Sequence, residues 1–197
     1  MKHRGFTLIE LAISLTIIGI ITVAVLKGQS LIDQSRIDDA IKLSEDFGVA
    51  VKEFKTRYKL LPGDMRNPPI ANLIVACQGG GLGNGNVSAA ESRCIPEVLS
   101  KAGMIKTSGI EGGFPVIRSY YGLVSVISAD ASQVVTIQGN NPFPRSSLVV
   151  EFADVPCEAA QAIERKIDND DFTTGRVAAS IDACVAGAIV PFLAISF

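Results

Sequence analysis

Two sets of residues in this 197-residue chain could do chemistry by type and placement. The first is Glu10, the single charge in the apolar run Phe6–Leu26 (FTLIELAISLTIIGIITVAVL). A carboxylate in an apolar span costs about 2.5–3.5 kcal/mol on insertion scales, so it calls for a partner. A positive group from a neighbouring subunit would satisfy it. The second set is Cys77, Cys94, Cys157 and Cys184, even in number and with no CxxC spacing for metal or redox work. In an exported domain these become disulfides; in a cytoplasmic one they stay buried thiols. Four cysteines allow three pairings, of which Cys77–Cys94 and Cys157–Cys184 are expected. The first would tie off a glycine-rich loop, and the second would staple a helix and an acidic turn to the terminal strands. Each closure is worth about 3 kcal/mol by loop entropy.

Weaker candidates follow. Asp168-Asn169-Asp170-Asp171 offers oxygen ligands that calcium prefers, but it lacks the glycine and the closing glutamate of an EF-hand. It reads as a solvated acidic turn, with Asp168, Asp170 and Asp171 as the calcium candidates if any metal binds. The run Gly79–Gly85 is followed by no Gly-Lys-Ser/Thr and fits no GxGxxG register, so a flexible surface loop is expected. With 18 basic and 20 acidic residues the net charge is −2, which does not favour generic nucleic-acid binding.

The element that positions Glu10 is a predominantly apolar helix of 21 residues with this single charge, about 30 Å long and enough to cross a bilayer once. The leader MKHRG precedes it and Lys27 follows. Lys2 and Arg4 should stay on the cytoplasmic side. Beyond Lys27, Ile37, Ala40, Ile41, Phe47, Val51, Phe54 and Tyr58 recur on one helical face, and charged residues fill the rest. The pattern predicts one helix from Phe6 to about Tyr58, stopped by Leu61-Pro62-Gly63-Asp64.

Gly5-Phe6-Thr7-Leu8-Ile9-Glu10 resembles the cleavage and N-methylation motif of type IV prepilins and type II secretion pseudopilins. The resemblance implies that a prepilin peptidase cuts after Gly5 and methylates Phe6, and that Glu10 meets a neighbour's N-terminal amine during assembly. It further implies other pilin subunits, an inner-membrane platform and its ATPase as partners, and no cofactor. Some pseudopilins of the family bind calcium in the C-terminal half. Removal of residues 1–5 would take away His3, the only histidine, and with it Ser-His-Asp, Cys-His and His-zinc chemistry. The family's frequent proline after the first apolar segment is absent.

The expected organisation is a leader at 1–5, a transmembrane and assembly half-helix at 6–26, an amphipathic half at 27–60 and a globular head at 61–197. In the head, Ser88–Ala102 predicts a helix capped by Ser88 with Glu91 three residues on. Residues 115–128, 133–138 and 147–153 predict strands in antiparallel hairpins. Pro156 opens a helix through about Ile167, and 175–197 supplies one or two strands. The fold class is α+β, with a long N-terminal helix packed on an antiparallel sheet.

The leading functional expectation is a structural pilus subunit, placed in the inner membrane before assembly and in a periplasmic or extracellular filament after. The alternatives are a secretion pseudopilin, or a minor or tip pilin that binds DNA, a surface or a secreted substrate. For DNA the available cations are Arg66, Arg93, Lys101, Lys106, Arg118 and Arg145, scattered in sequence and more readily read as solvated charges. No nucleophile, metal or cofactor constellation points to an enzyme.

Overall fold

The computed structural model describes residues 7–79, 81–139, 141–144, 147–168 and 170–197. Two compact units divide the chain, residues 1–36 and 37–197. Helix α1 (Leu8–Tyr58) contributes to both. Within the first unit its apolar side chains cover one another only locally: Leu8 is 89% exposed and Ile20 71%. No residue in the most apolar 18-residue window of α1 is buried. So much bare hydrocarbon needs lipid or like helices around it.

In the second unit the face predicted from periodicity is the buried one. Ile37, Ala40, Phe47, Val51 and Phe54 are buried, while Ile41 and Tyr58 are partly covered. They share one core with Phe152, Leu193, Ile195, Ile95 and Leu99. Helix α1 ends where Lys59 turns left-handed (φ 59°), with its N–H still donating to the Lys55 carbonyl.

The sheet comprises β1 (Gly109–Glu111), β2 (Phe114–Ser119), β3 (Gly122–Ser128), β4 (Leu148–Pro156), β5 (Val177–Ala179) and β6 (Ile189–Ser196). All pairings are antiparallel, in the order β1-β2-β3-β4-β6-β5. Helices α2 (Ala89–Ser92), α3 (Ile95–Lys101), α4 (Gln133–Gln138) and α5 (Cys157–Ile167) complete the head. The architecture is the α+β one expected: a long N-terminal helix, an antiparallel sheet and short helices.

Three local expectations change. Residues 133–138 form helix α4 and not a strand. Ser132 starts it, accepting from Val134 N–H at 3.1 Å, and buried Glu151 accepts from Ser132 O–H at 2.7 Å and Gln133 N–H at 2.8 Å. Those caps, with Gly139 left-handed at the far end, outweigh the strand preference of Val134, Val135 and Ile137. The stretch 115–128 is a hairpin, turning at Tyr120-Tyr121 before Gly122 (φ 114°). Finally, the helix expected over Ser88–Ala102 is two helices. The Ser88–Glu91 capping box is present, but Pro96 lies where a continuous helix would need its N–H, and the chain restarts with that proline in the first turn of α3.

A contact absent from any pattern joins Gly48 to Phe197. A Cβ added at Gly48 would lie 2.9 Å from the Phe197 Cβ. Gly48→Val should therefore destabilise the head by about 1–3 kcal/mol through overpacking. Adding Phe197→Ala should recover part of the loss in a denaturant titration; a Gly48→Val head as stable as wild type would contradict the contact.

Buried and surface carboxylates also act as caps. Glu158 accepts from Gly187 N–H at 2.7 Å, and this bond holds its carboxyl below the ordinary 4.5. For Glu91, burial raises the pKa, but bonds from Ser88 and from Leu82 N–H (2.9 Å) outweigh it and the net direction is down from 4.5. A depressed carboxyl stabilises above its unfolded value and loses that contribution as pH falls through the folded value. The head should thus lose stability progressively below pH 4.5, the ordinary value of both groups. Glu91→Gln should flatten that acid limb in thermal melts taken across pH.

Candidate functional site

The first described turn of α1 is held by a reciprocal pair. Thr7 N–H and Thr7 O–H donate to Glu10 Oε2 at 2.9 and 3.0 Å, and Glu10 N–H donates to Thr7 Oγ1 at 3.3 Å. This is a capping box, Thr at the N-cap and Glu three residues on. It satisfies two backbone donors that a helix start leaves open, and it places a negative group where the helix dipole favours one. Glu10 Oε2 carries both Thr7 bonds, whereas Oε1 has no hydrogen-bond partner among the described residues. One oxygen thus fixes the side chain and the other faces outward. Ser14 O–H donates to the Glu10 carbonyl at 2.7 Å, so the next turn's hydroxyl is satisfied within the helix.

Gly5 and Phe6, the expected processing pair, lie outside the described residues. Thr7 is the residue that sequence reasoning missed here. Its signal was available, since Thr7-x-x-Glu10 has the same spacing as Ser88-x-x-Glu91.

In the head the four cysteines form two bonds, Cys77–Cys94 and Cys157–Cys184, with Cα separations of 5.6 and 5.4 Å. The glycine run is more anchored than a flexible loop. Asp64, buried, accepts from Asn84 and Gly85 N–H at 3.1 and 2.6 Å, and Arg66 Nε donates to the Leu82 carbonyl at 2.9 Å. Gly81 must be glycine, because a Cβ there would meet Met65 N at 1.9 Å.

The three aspartates of the acidic turn do not converge. Asp168 accepts from Arg176 N–H, Asp170 pairs with Arg165 at 3.0 Å, and Asp171 accepts from Thr173 N–H and O–H at 2.9 and 2.6 Å. The Thr173 bonds lower the Asp171 pKa. No group of three or more potential metal ligands occurs among the described residues. Of the scattered cations, Arg118 is taken by Glu111 at 2.6 Å and Arg66 by Leu82, and Arg145 lies outside the described residues. Arg93, Lys101 and Lys106 lie on three separate segments: the α2–α3 junction, the end of α3 and the loop before β1.

The site with an unusual combination of features is therefore the N-terminal one: a bare apolar helix that starts on a capped, half-free carboxylate. Residues 1–26 match the family described as the prokaryotic N-terminal methylation motif. That is the type IV pilin and pseudopilin signature. The motif supports a precursor of the pilin or pseudopilin type, and it implies processing by prepilin peptidase, assembly with other pilins and membrane anchoring beforehand. The pilin signature covers the leader and the bare part of α1, not the head. No curated protein and no solved structure matches the chain.

Proposed function

We propose that this chain is a structural subunit of a type IV pilus-like filament, cut after Gly5, methylated on Phe6 and assembled through α1. The carrying observation is Glu10: a carboxylate at the start of an unburied apolar helix, held by Thr7 through one oxygen and free at the other. A protonated N-terminal amine of a neighbouring copy fits the free oxygen as a charge-assisted donor. The apolar stretch 6–26 serves first as membrane anchor and then as the filament's bundled interior; 27–60 carries the head, and 61–197 presents its surface to the outside. Extraction from the membrane falls to an inner-membrane platform driven by a cytoplasmic ATPase.

Intact mass of the assembled subunit tests this directly. The expected species lacks residues 1–5 and carries one methyl group on Phe6. Retention of the leader in assembled material would remove the reading.

A further inference from the structure

Asn84-Gly85 is the single Asn-Gly pair in the sequence. Such a pair carries its own electrophile and nucleophile: the side-chain carbonyl carbon of the asparagine and the backbone nitrogen of the glycine, which has no Cβ to crowd the approach. Both residues are exposed, and a Cβ added at Gly85 would meet nothing within 4 Å. The nitrogen, however, is engaged. Asp64, only 3% exposed, accepts from Gly85 N–H on Oδ2 at 2.6 Å and from Asn84 N–H on Oδ1 at 3.1 Å. Two successive N–H groups thus close on one buried carboxylate, with Gly85 in the left-handed region (φ 83°) that glycine takes without strain. The Asn84 side chain is held as well, its Oδ1 accepting from Asn86 N–H at 2.9 Å.

We propose that Asn84 is a site of spontaneous covalent modification and that Asp64 guards it. In the reaction the Gly85 nitrogen bonds to Asn84 Cγ and the Cγ–Nδ2 bond breaks. The Gly85 amide proton passes through water to the departing nitrogen, which leaves as ammonia. Water then opens the cyclic imide at either carbonyl and leaves aspartate or isoaspartate at position 84. The first step needs the Gly85 nitrogen stripped of its proton and turned toward Cγ, and both demands break its bond to Asp64. Hydrogen bonds to a charged acceptor are about twice as strong as neutral ones, so this bond slows the reaction by about tenfold or more. Isoaspartate adds a methylene to the main chain, which displaces Gly85 N–H from Asp64. The change is therefore one-way, and it releases the glycine loop from the carboxylate that anchors it. This inference goes beyond the filament reading and does not depend on it.

Peptide mapping by mass spectrometry tests it on the purified full chain in detergent, with disulfides intact and at neutral pH. Position 84 is followed by the mass gain of an amide-to-acid exchange, and isoaspartate is separated from aspartate by chromatography. The native chain should convert about tenfold or more slowly than the same chain unfolded in guanidinium. Folded Asp64→Asn should convert faster than wild type by about the same factor, and Asn84→Gln should show no conversion there over the same period. Equal rates for native and unfolded wild type would overturn the guard, a comparison that stands even where Asp64→Asn fails to fold. Slower conversion in Asp64→Asn than in wild type would make the carboxylate the base that drives the reaction and would overturn the guard as well. An unfolded chain that keeps Asn84 intact while other asparagines convert would overturn the site.

Discussion

Glu10→Val is expected to leave cleavage after Gly5 intact while filaments containing the variant disappear. On the proposed reading the peptidase acts before assembly and at a bond five residues away, so mature-length protein should accumulate in the membrane. What is lost, on that reading, is the acceptor for a neighbour's charged amine, and hydrogen bonds to charged groups contribute about 1.5–3 kcal/mol, so each subunit contact weakens roughly ten- to hundredfold. Glu10→Gln separates the two duties of the side chain. An amide oxygen still accepts from Thr7 N–H, which keeps the helix start, but it offers no charge to the amine. If Glu10→Gln assembles as well as wild type, the carboxylate acts only as a cap and the proposed role fails. Thr7→Ala addresses the other half: it should cost the helix start about 1 kcal/mol and speed amide exchange in the first turn.

The second large effect concerns Cys157–Cys184. The bond closes 27 residues and joins the start of α5 to the segment before β6. Loop-closure entropy for that length is about 3.5 kcal/mol, against about 3 kcal/mol for the 17-residue closure by Cys77–Cys94. Whole domains are stable by only about 5–15 kcal/mol, so Cys157→Ser with Cys184→Ser should remove a large fraction of the total. Urea unfolding should show a lower midpoint, with the Cys77→Ser and Cys94→Ser pair less affected. Equal and negligible shifts for both pairs would show that neither closure limits the unfolded chain.

Where the sequence carried a local stop or start in one or two residues, the fold could be read directly. Ser88 with Glu91 capped a helix, Pro156 preceded another, and the Leu61–Asp64 stretch lay just past the end of α1 at Tyr58. The stripe from Ile37 to Tyr58 told which face of α1 would be covered, because burial needs only periodicity. Segment 133–138 misled for the opposite reason. Its β-branched residues favour a strand, and the group that decides for helix, Glu151, is 18 residues further on. Likewise Tyr120-Tyr121 makes a turn without turn-forming residues, and only Gly122 signalled it. At the N-terminus the motif directed attention to Glu10 and Phe6, and the partner that orients Glu10 lay inside the same six residues.

The place of β6 has a consequence in time. It lies between β4 and β5, bonded to both, so the sheet cannot close until residues 189–196 are present. On the proposed reading the head crosses the membrane with these residues after the other strands of the sheet. Cys77 and Cys94 emerge early and 17 residues apart, free to oxidise while the remainder is still threading. Cys184 emerges just ahead of β6, so its bond to Cys157 can form only as the sheet is being completed. The head therefore stays loose enough to thread and locks at the end, with the second disulfide recording that the last central strand has arrived.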